Sequence, residues 1–354
     1  MRILHLVEPF SSGIITFIIY LTKELPQHEH IVIHGTRVTQ DRVSAVRKRF
    51  PSYVKFEVWP DAVREIAPLK DFLALIQLLR FYKRLKPDVI HLHSSKAGFL
   101  GRVAGFFFNY KIIYTPNGAP FLRTDISRFK RRMYIFLERF ANLLSGRVIC
   151  CSLSESEAYN KIGLTTGYIN NGVSVHQTEK ISTRKFTIGN FALITEQKNP
   201  DLFNEIAYHF INNDQVRFLW VGDGDRSQLS SPNIEITGWL EPKEVEEKYG
   251  EVDVYLSTSI WEGLPFSVLE AMNAEICLVL SKCVGNIDLV QNEVNGYLFE
   301  NCSEAIAILN YLERNPSQVK ALGKASKKML MNDFNASINM KKYEDNYLSK
   351  NGNK

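Results

Sequence analysis

At 354 residues, the chain is long enough to bury two separate cores. Its 45% hydrophobic and 23% charged content is that of a soluble globular protein and excludes a disordered or fibrous one. The net charge of +5 conceals an asymmetry, +12 over residues 1–180 against −7 over residues 181–354, which points to an anionic partner for the first half.

In chain order, β-branched runs at 2–7, 31–34, 53–58, 89–93, 111–115 and 147–150 predict strands. Apolar periodicity at 12–25, 41–49, 69–85, 96–107 and 126–144 predicts the helices between them. Such βα repetition builds a parallel sheet covered on both faces. A second series begins near Lys185, with strands at 186–192, 216–221, 234–236, 252–256, 276–280 and 297–299. The change of charge and the irregular stretch 170–184 place a linker there. The chain is therefore read as α/β, two facing Rossmann-like doubly wound domains, 1–170 and 171–334, with an interdomain cleft that takes ligands at the strands' carboxyl ends. A last helix at about 335–350 is assigned to the first domain, and the polar tail 351–354 is expected to be disordered.

Compartment and partners are bounded next. No apolar run reaches the roughly 18 residues that a membrane span needs. Cys150, Cys151, Cys277, Cys283 and Cys302 are an odd number without metal spacing, which suits buried thiols in a reducing cytoplasm. Residues 1–7 lead straight into a strand-like run, so no secretory leader is expected. No zinc-finger, RNP or helix-turn-helix signature supports nucleic acid as the anionic partner.

Residues 261–272, Trp-Glu-Gly-Leu-Pro-Phe-Ser-Val-Leu-Glu-Ala-Met, carry the most information. A buried strand leads into a glycine turn that opens an apolar helix, and the N–H groups and dipole of such a helix start favour an anion. Glu262 in the turn and Glu270 on the helix would repel a phosphate, so they read as acceptors of hydrogen bonds from hydroxyls. A ligand with phosphates and many hydroxyls is a nucleotide sugar. The bare Glu-x7-Glu spacing is common by chance and proves little alone.

The stretch Glu262 to Met272, followed by Gly285-Asn286 and Asn295-Gly296, resembles the donor-binding signature of the retaining GT-B glycosyltransferases of family 4. The resemblance covers nearly the whole chain and is strongest over 186–300. It implies that Lys198, at a helix start, neutralises a donor diphosphate, helped by Gly263, Leu264, Pro265 and Phe266. It further implies that Glu262 binds donor-sugar hydroxyls, Glu270 the ribose hydroxyls, and Gly222 of a Gly-Asp-Gly turn the neighbourhood of the base. Leu193 departs from the pattern, which has an Arg there; either another cation compensates or diphosphate affinity suffers. Glu275-Ile-Cys277 stands where the family has Gly-x-Pro.

In the first domain, Gly13 of Ser-Ser-Gly is a weak phosphate-loop signal, and Asn170-Asn171-Gly172 reads equally as hinge or turn. His93 ends a buried strand, with Ser94-Ser95 expected to cap the next helix; it reads either as a satisfied core residue or as a cleft residue. His91 points the same way, but no third ligand is evident, so no metal site is expected. Asn117 of Thr-Pro-Asn-Gly stands where many relatives have a histidine that touches the donor sugar; it can orient but cannot act as acid or base. Ser154-x-x-Glu157 reads as a capping box. Helix 126–144 places Phe129, Met133, Phe136, Phe140 and Leu144 at helical spacing, with Arg128, Lys130, Arg131, Arg132 and Arg139 around them. It is either a core-packed helix with a solvated face or a dock for an anionic membrane surface.

The resemblance implies a metal-independent, retaining transferase without cofactor. It would move a hexose or N-acetylhexosamine from a UDP-sugar to a saccharide acceptor, polyprenyl-pyrophosphate-linked, in capsule or O-antigen assembly at the inner face of the plasma membrane. A sugar-nucleotide 2-epimerase and a non-catalytic nucleotide-sugar-binding partner are the alternatives.

Overall fold

The structure is a computed structural model that describes residues 1–37, 43–63, 66–181 and 183–349. It divides into two units, residues 1–172 with 336–354, and residues 173–335. The tail expected to be disordered, and the first two residues of the helix expected at 41–49, lie outside the described residues.

The first unit is built on β1 (Arg2–Val7), α1 (Ser12–Glu24), β2 (Glu29–His34), α2 (Val43–Lys48), β3 (Lys55–Val58), α3 (Pro68–Leu85), β4 (Val89–His93), α4 (Ser95–Gly105), β5 (Lys111–Thr115), α5 (Arg128–Leu144), β6 (Arg147–Cys150), α6 (Leu153–Lys161) and β7 (Gly167–Tyr168). Its strands form one seven-stranded sheet, ordered β3-β2-β1-β4-β5-β6-β7, and every pairing is parallel. The reversal of strand order beside β1 is the doubly wound arrangement, and near-continuous apolar strands are what burial on both faces requires.

The second unit contains β8 (Phe186–Phe191), α7 (Pro200–His209), β9 (Val216–Val221), β10 (Ile234–Ile236), α8 (Pro242–Glu251), β11 (Val254–Ser257), α9 (Phe266–Asn273), β12 (Cys277–Ser281), β13 (Gly296–Phe299), α10 (Cys302–Arg314) and α11 (Pro316–Asp333). Its six-stranded sheet, β10-β9-β8-β11-β12-β13, repeats the same winding. The core gathers Phe203, Phe218, Trp220, Leu256, Val279 and Leu309 between sheet and helices.

The last helix, α12 (Ala336–Leu348), belongs to the first unit. Its Tyr343 and Tyr347 are buried. Tyr347 bonds His91 Nδ1 at 2.7 Å, and Lys111 Nζ reaches the carbonyl of Tyr347 at 3.1 Å.

Two local expectations need correction. Ser152, not Ser154, caps α6, accepting the N–H of Glu155 at 3.2 Å. The run Ser-Leu-Ser-Glu-Ser-Glu, residues 152–157, offers the capping spacing in two registers, and the burial of Glu155 selects the earlier one. On α5 the expected apolar stripe is not the packed face. Phe129 is 79% and Phe136 64% exposed, whereas Glu138 and Ala141 are buried. A buried ion pair, Arg102 to Glu138 at 2.6 Å, fixes that inward face, with the guanidinium 4.3 Å from the Tyr114 ring centroid.

Candidate functional site

The second unit assembles its candidate site from residues far apart in sequence. β8 ends at Phe191, and the following loop leads through a short 3-10 turn, Glu196–Lys198, into α7. β11 ends at Ser257, and a second loop leads into α9. Because β8 and β11 are hydrogen-bonded neighbours, the two loops lie side by side. Thr258 Oγ1 donates to the carbonyl of Lys198 at 2.7 Å, and the N–H of Ile260 donates to the carbonyl of Gln197 at 2.9 Å. The clamp brings Lys198 Nζ to 2.5 Å from Glu262 Oε1, while Gln197 Nε2 lies 3.4 Å from Glu262 Oε2. Glu262 is buried, so its charge needs these donors.

α9 begins at Phe266 with no side-chain cap. Within its first turn, the N–H groups of Val268 and Leu269 bond the carbonyl of Pro265 at 3.2 and 3.3 Å. Pro265 has no N–H and shapes the turn instead. Ser267 is held by Tyr255, hydroxyl to hydroxyl at 2.8 Å, and Glu270 lies one turn further along, half-buried.

Behind the turn, Gly285 is tightly constrained. Its φ is +87°, and a Cβ there would meet the carbonyl oxygen of Gly263 at 2.7 Å and the Cβ of Glu262 at 2.8 Å. Asn286 is fully buried and donates to the carbonyl of Ser281 at 3.0 Å, a structural brace. Asn295 likewise braces its own loop, donating to the carbonyl of Leu289 at 2.8 Å.

Gly222 follows β9 with φ +138°, and a Cβ there would be 2.1 Å from the carbonyl oxygen of Ala192. That close approach explains the glycine by packing. The N–H of Ile194 bonds the carbonyl of Asp223 at 2.9 Å, so the Gly-Asp-Gly turn leans on the loop that carries Leu193. Leu193 is not a buried strand residue. It lies beyond β8 and is half-buried.

In the first unit, His93 is fully buried. The structure also supplies the third histidine that the sequence did not single out: His5 on β1, with ring nitrogens of His5, His91 and His93 mutually within 4.8 Å. Those nitrogens are largely committed. His30 Nε2 donates to the carbonyl of Leu25 at 2.8 Å, so its Nδ1 accepts from His5 Nε2 at 3.0 Å. His5 Nδ1 then accepts from His93 Nε2 at 3.1 Å. His91 uses both nitrogens, on Tyr347 and on Thr115 Oγ1 at 2.9 Å. The cluster is a tautomer-directed ladder of neutral rings, and a metal would have to displace it. Burial lowers the pKa of His91 to about 3 and of His30 to about 4.

Asn117 has φ +55° and donates to the carbonyl of Thr115 at 3.2 Å, which shapes the loop after β5. Gly13 lies exposed in the first turn of α1. Ser94 does not cap α4; its hydroxyl donates to the carbonyl of Glu8. Arg128, Lys130, Arg131 and Arg132 are all exposed at the start of α5. Among the described residues, no helix is long and apolar enough to cross a membrane.

Residues 11–177 match the model of Glycosyltransferase Family 4, and residues 184–314 match that of Glycosyl transferases group 1. An Escherichia coli UDP-Gal:alpha-D-GlcNAc-diphosphoundecaprenol alpha-1,3-galactosyltransferase is 29% identical over 322 residues, covering 82% of each chain. The Staphylococcus aureus capsular polysaccharide biosynthesis glycosyltransferase CapM is 22% identical over 80% of this chain and 82% of its own. Among solved structures, Anabaena HepE in complex with UDP and glucose superposes with a TM-score of 0.81 at 18% identity, over 99% of this chain and 100% of that one. This likeness establishes the GT-B type of fold.

Proposed function

The chain belongs to glycosyltransferase family 4, and we propose that it transfers a hexose or N-acetylhexosamine from a UDP-sugar to a lipid-linked saccharide during assembly of a bacterial surface polysaccharide. The observation that carries this reading is the Lys198–Glu262 pair at 2.5 Å, with Glu262 four residues before the start of α9 at Phe266. A lysine ammonium has three donors, and Glu262 takes one. The others suit the donor diphosphate, whose growing negative charge in the transition state a fixed cation and helix N–H groups stabilise. Glu262, held by Lys198 and Gln197, presents its carboxylate to sugar hydroxyls, and Glu270 serves the ribose. Asn117 orients the sugar.

Retention of configuration and independence from metal belong to the same reading. The departing diphosphate takes the acceptor proton, so no strong protein base is needed, and Lys198 with the α9 terminus does the work a divalent cation would do. The relatives' names support the acceptor and the donor: the E. coli enzyme uses UDP-Gal and a diphosphoundecaprenol acceptor. A polyprenyl carrier is anchored in a membrane, and the basic, phenylalanine-rich outer face of α5 is suited to an anionic leaflet.

The test is a panel of UDP-, GDP-, ADP- and CMP-sugars in a thermal-shift assay, with Glu270→Ala as control. A UDP-sugar should raise the melting temperature of the native chain and leave the variant unmoved. No stabilisation by any nucleotide sugar would overturn the donor-site assignment.

A further inference from the structure

We infer that Glu155 is a positioning residue for the proposed sugar-orienting loop, acting through Asn117 and Gly118; the inference rests on the role given to that loop above. Glu155 is fully buried in the first turn of α6. Its Oε1 accepts the N–H of Gly118 at 2.7 Å. Its Oε2 accepts the N–H of Cys151 at 2.9 Å and faces Cys151 Sγ at 3.3 Å, and the N–H of Ala119 also bonds the carboxylate.

These partners come from two separate segments, the loop after β5 and the end of β6. A buried carboxylate without a cation is an expensive choice for a core, and ordinary helix capping does not require it. What it achieves is specific. The chain leaves β5 through two consecutive left-handed residues, Asn117 with φ +55° and Gly118 with φ +103°. A non-glycine residue there is strained by about 1 kcal/mol or more, so the loop needs an external hold. Glu155 supplies it by gathering the amides immediately after Asn117. Burial raises the Glu155 pKa, while the N–H groups of Cys151, Gly118 and Ala119 and the Cys151 thiol oppose the rise. The geometry fixes the backbone of Asn117 before any substrate arrives, and preorganisation of this kind acts on the rate more than on ground-state binding.

The experiment is a double-mutant cycle on the full chain, Glu155→Gln against Asn117→Ala, with kcat and donor KM measured for each. Glu155→Gln keeps one acceptor oxygen but sets an amide NH2 against the N–H of either Gly118 or Cys151, which loosens the bridge between the two segments. The expected result is a kcat lowered about tenfold or more with donor KM within about twofold, and a double variant no slower than Asn117→Ala alone. Additive losses would overturn the inference while leaving the loop's role intact. An Asn117→Ala enzyme as fast as the native one would overturn the loop's role itself. Should Glu155→Gln not fold, hydrogen exchange on the native protein decides: the Gly118 amide should be protected about 100-fold or more, and free exchange there would overturn the hold.

Discussion

Lys198 and Glu262 stand 64 residues apart in the chain, yet their charged atoms are 2.5 Å apart. Their side chains are only 19% and 8% exposed, so the pair is partly desolvated and each member depends on the other. Removing Lys198 leaves a buried carboxylate without its cation, a loss of about 3 kcal/mol. Lys198→Ala should therefore lower the melting temperature and also reduce kcat by about 100-fold or more, because the diphosphate loses its cation. The double variant Lys198→Ala, Glu262→Ala should recover part of the stability and none of the activity. Independent, additive effects on stability would mean that the pair does not interact in solution.

Leu193 supplies a gain-of-function test. It follows β8 on the same loop that carries Lys198, and it is half-buried. Leu193→Arg should tighten UDP binding about tenfold, the value of one charge-assisted hydrogen bond. Titration calorimetry with UDP measures this directly. Unchanged affinity would mean that another cation already occupies the diphosphate.

Gly285→Ala tests the turn from behind. The new Cβ would press on Gly263 and Glu262 within 2.8 Å, and the φ of +87° adds strain. The turn should shift, with a stability loss of about 1–3 kcal/mol and a larger proportional loss of donor binding. Stability loss with normal donor affinity would detach the turn from the donor site.

Acid should destabilise the first unit through the histidine ladder. An unfolded histidine titrates near 6.5, whereas folded His91 and His30 titrate at about 3 and about 4 because burial disfavours their charge. Between those values and 6.5 the unfolded chain binds protons that the folded chain refuses. Stability is thus fully present above about 6.5 and falls as pH drops, by up to about 1.4 kcal/mol per pH unit for each ring. Glu155, whose pKa is raised by burial, acts in the opposite sense, so a variant isolates the rings. His30→Gln should flatten part of the fall in melting temperature between pH 6.5 and 4.5, and an unchanged slope would exclude the ladder as its source.

How far the chain could be read before folding follows from these residues. All six strands of the second sheet and six of the seven of the first were legible because most of them are apolar runs buried between turns, whereas the two-residue edge strand β7 is too short to show a pattern. Lys198, Glu262 and Glu270 could be singled out as candidates because each lies in or beside a loop between a strand and a helix start, which is legible locally. Their pairing was not, since it depends on β8 lying beside β11, a long-range fact. The same holds for His5, which sits across from His91 only through strand register. Glu155 was hidden by ambiguity, two overlapping capping registers, and only burial separates them. The outer face of α5 was hidden by helical spacing itself, which shows that a stripe exists and not which way it turns.

That outer face yields the last prediction. Phe129, Phe136, Phe140 and Leu143 are exposed on α5, with Arg128, Lys130, Arg131 and Arg132 exposed at its start. The helix is anchored from its opposite side by Arg102 and Glu138, so its outer residues can change without loss of the fold. Each basic residue near an anionic leaflet contributes about 1 kcal/mol, and inserted phenylalanines add apolar area. The protein should sediment with phosphatidylglycerol vesicles at low salt, and less so as salt screens the attraction. Arg128→Glu, Arg131→Glu and Arg132→Glu together should abolish sedimentation, whereas Phe129→Ser with Phe136→Ser should weaken it and leave its salt dependence in place. Transfer to a short soluble acceptor should survive in both variants, since neither touches the donor site. A native protein that ignores anionic vesicles at low salt would leave α5 without a membrane role.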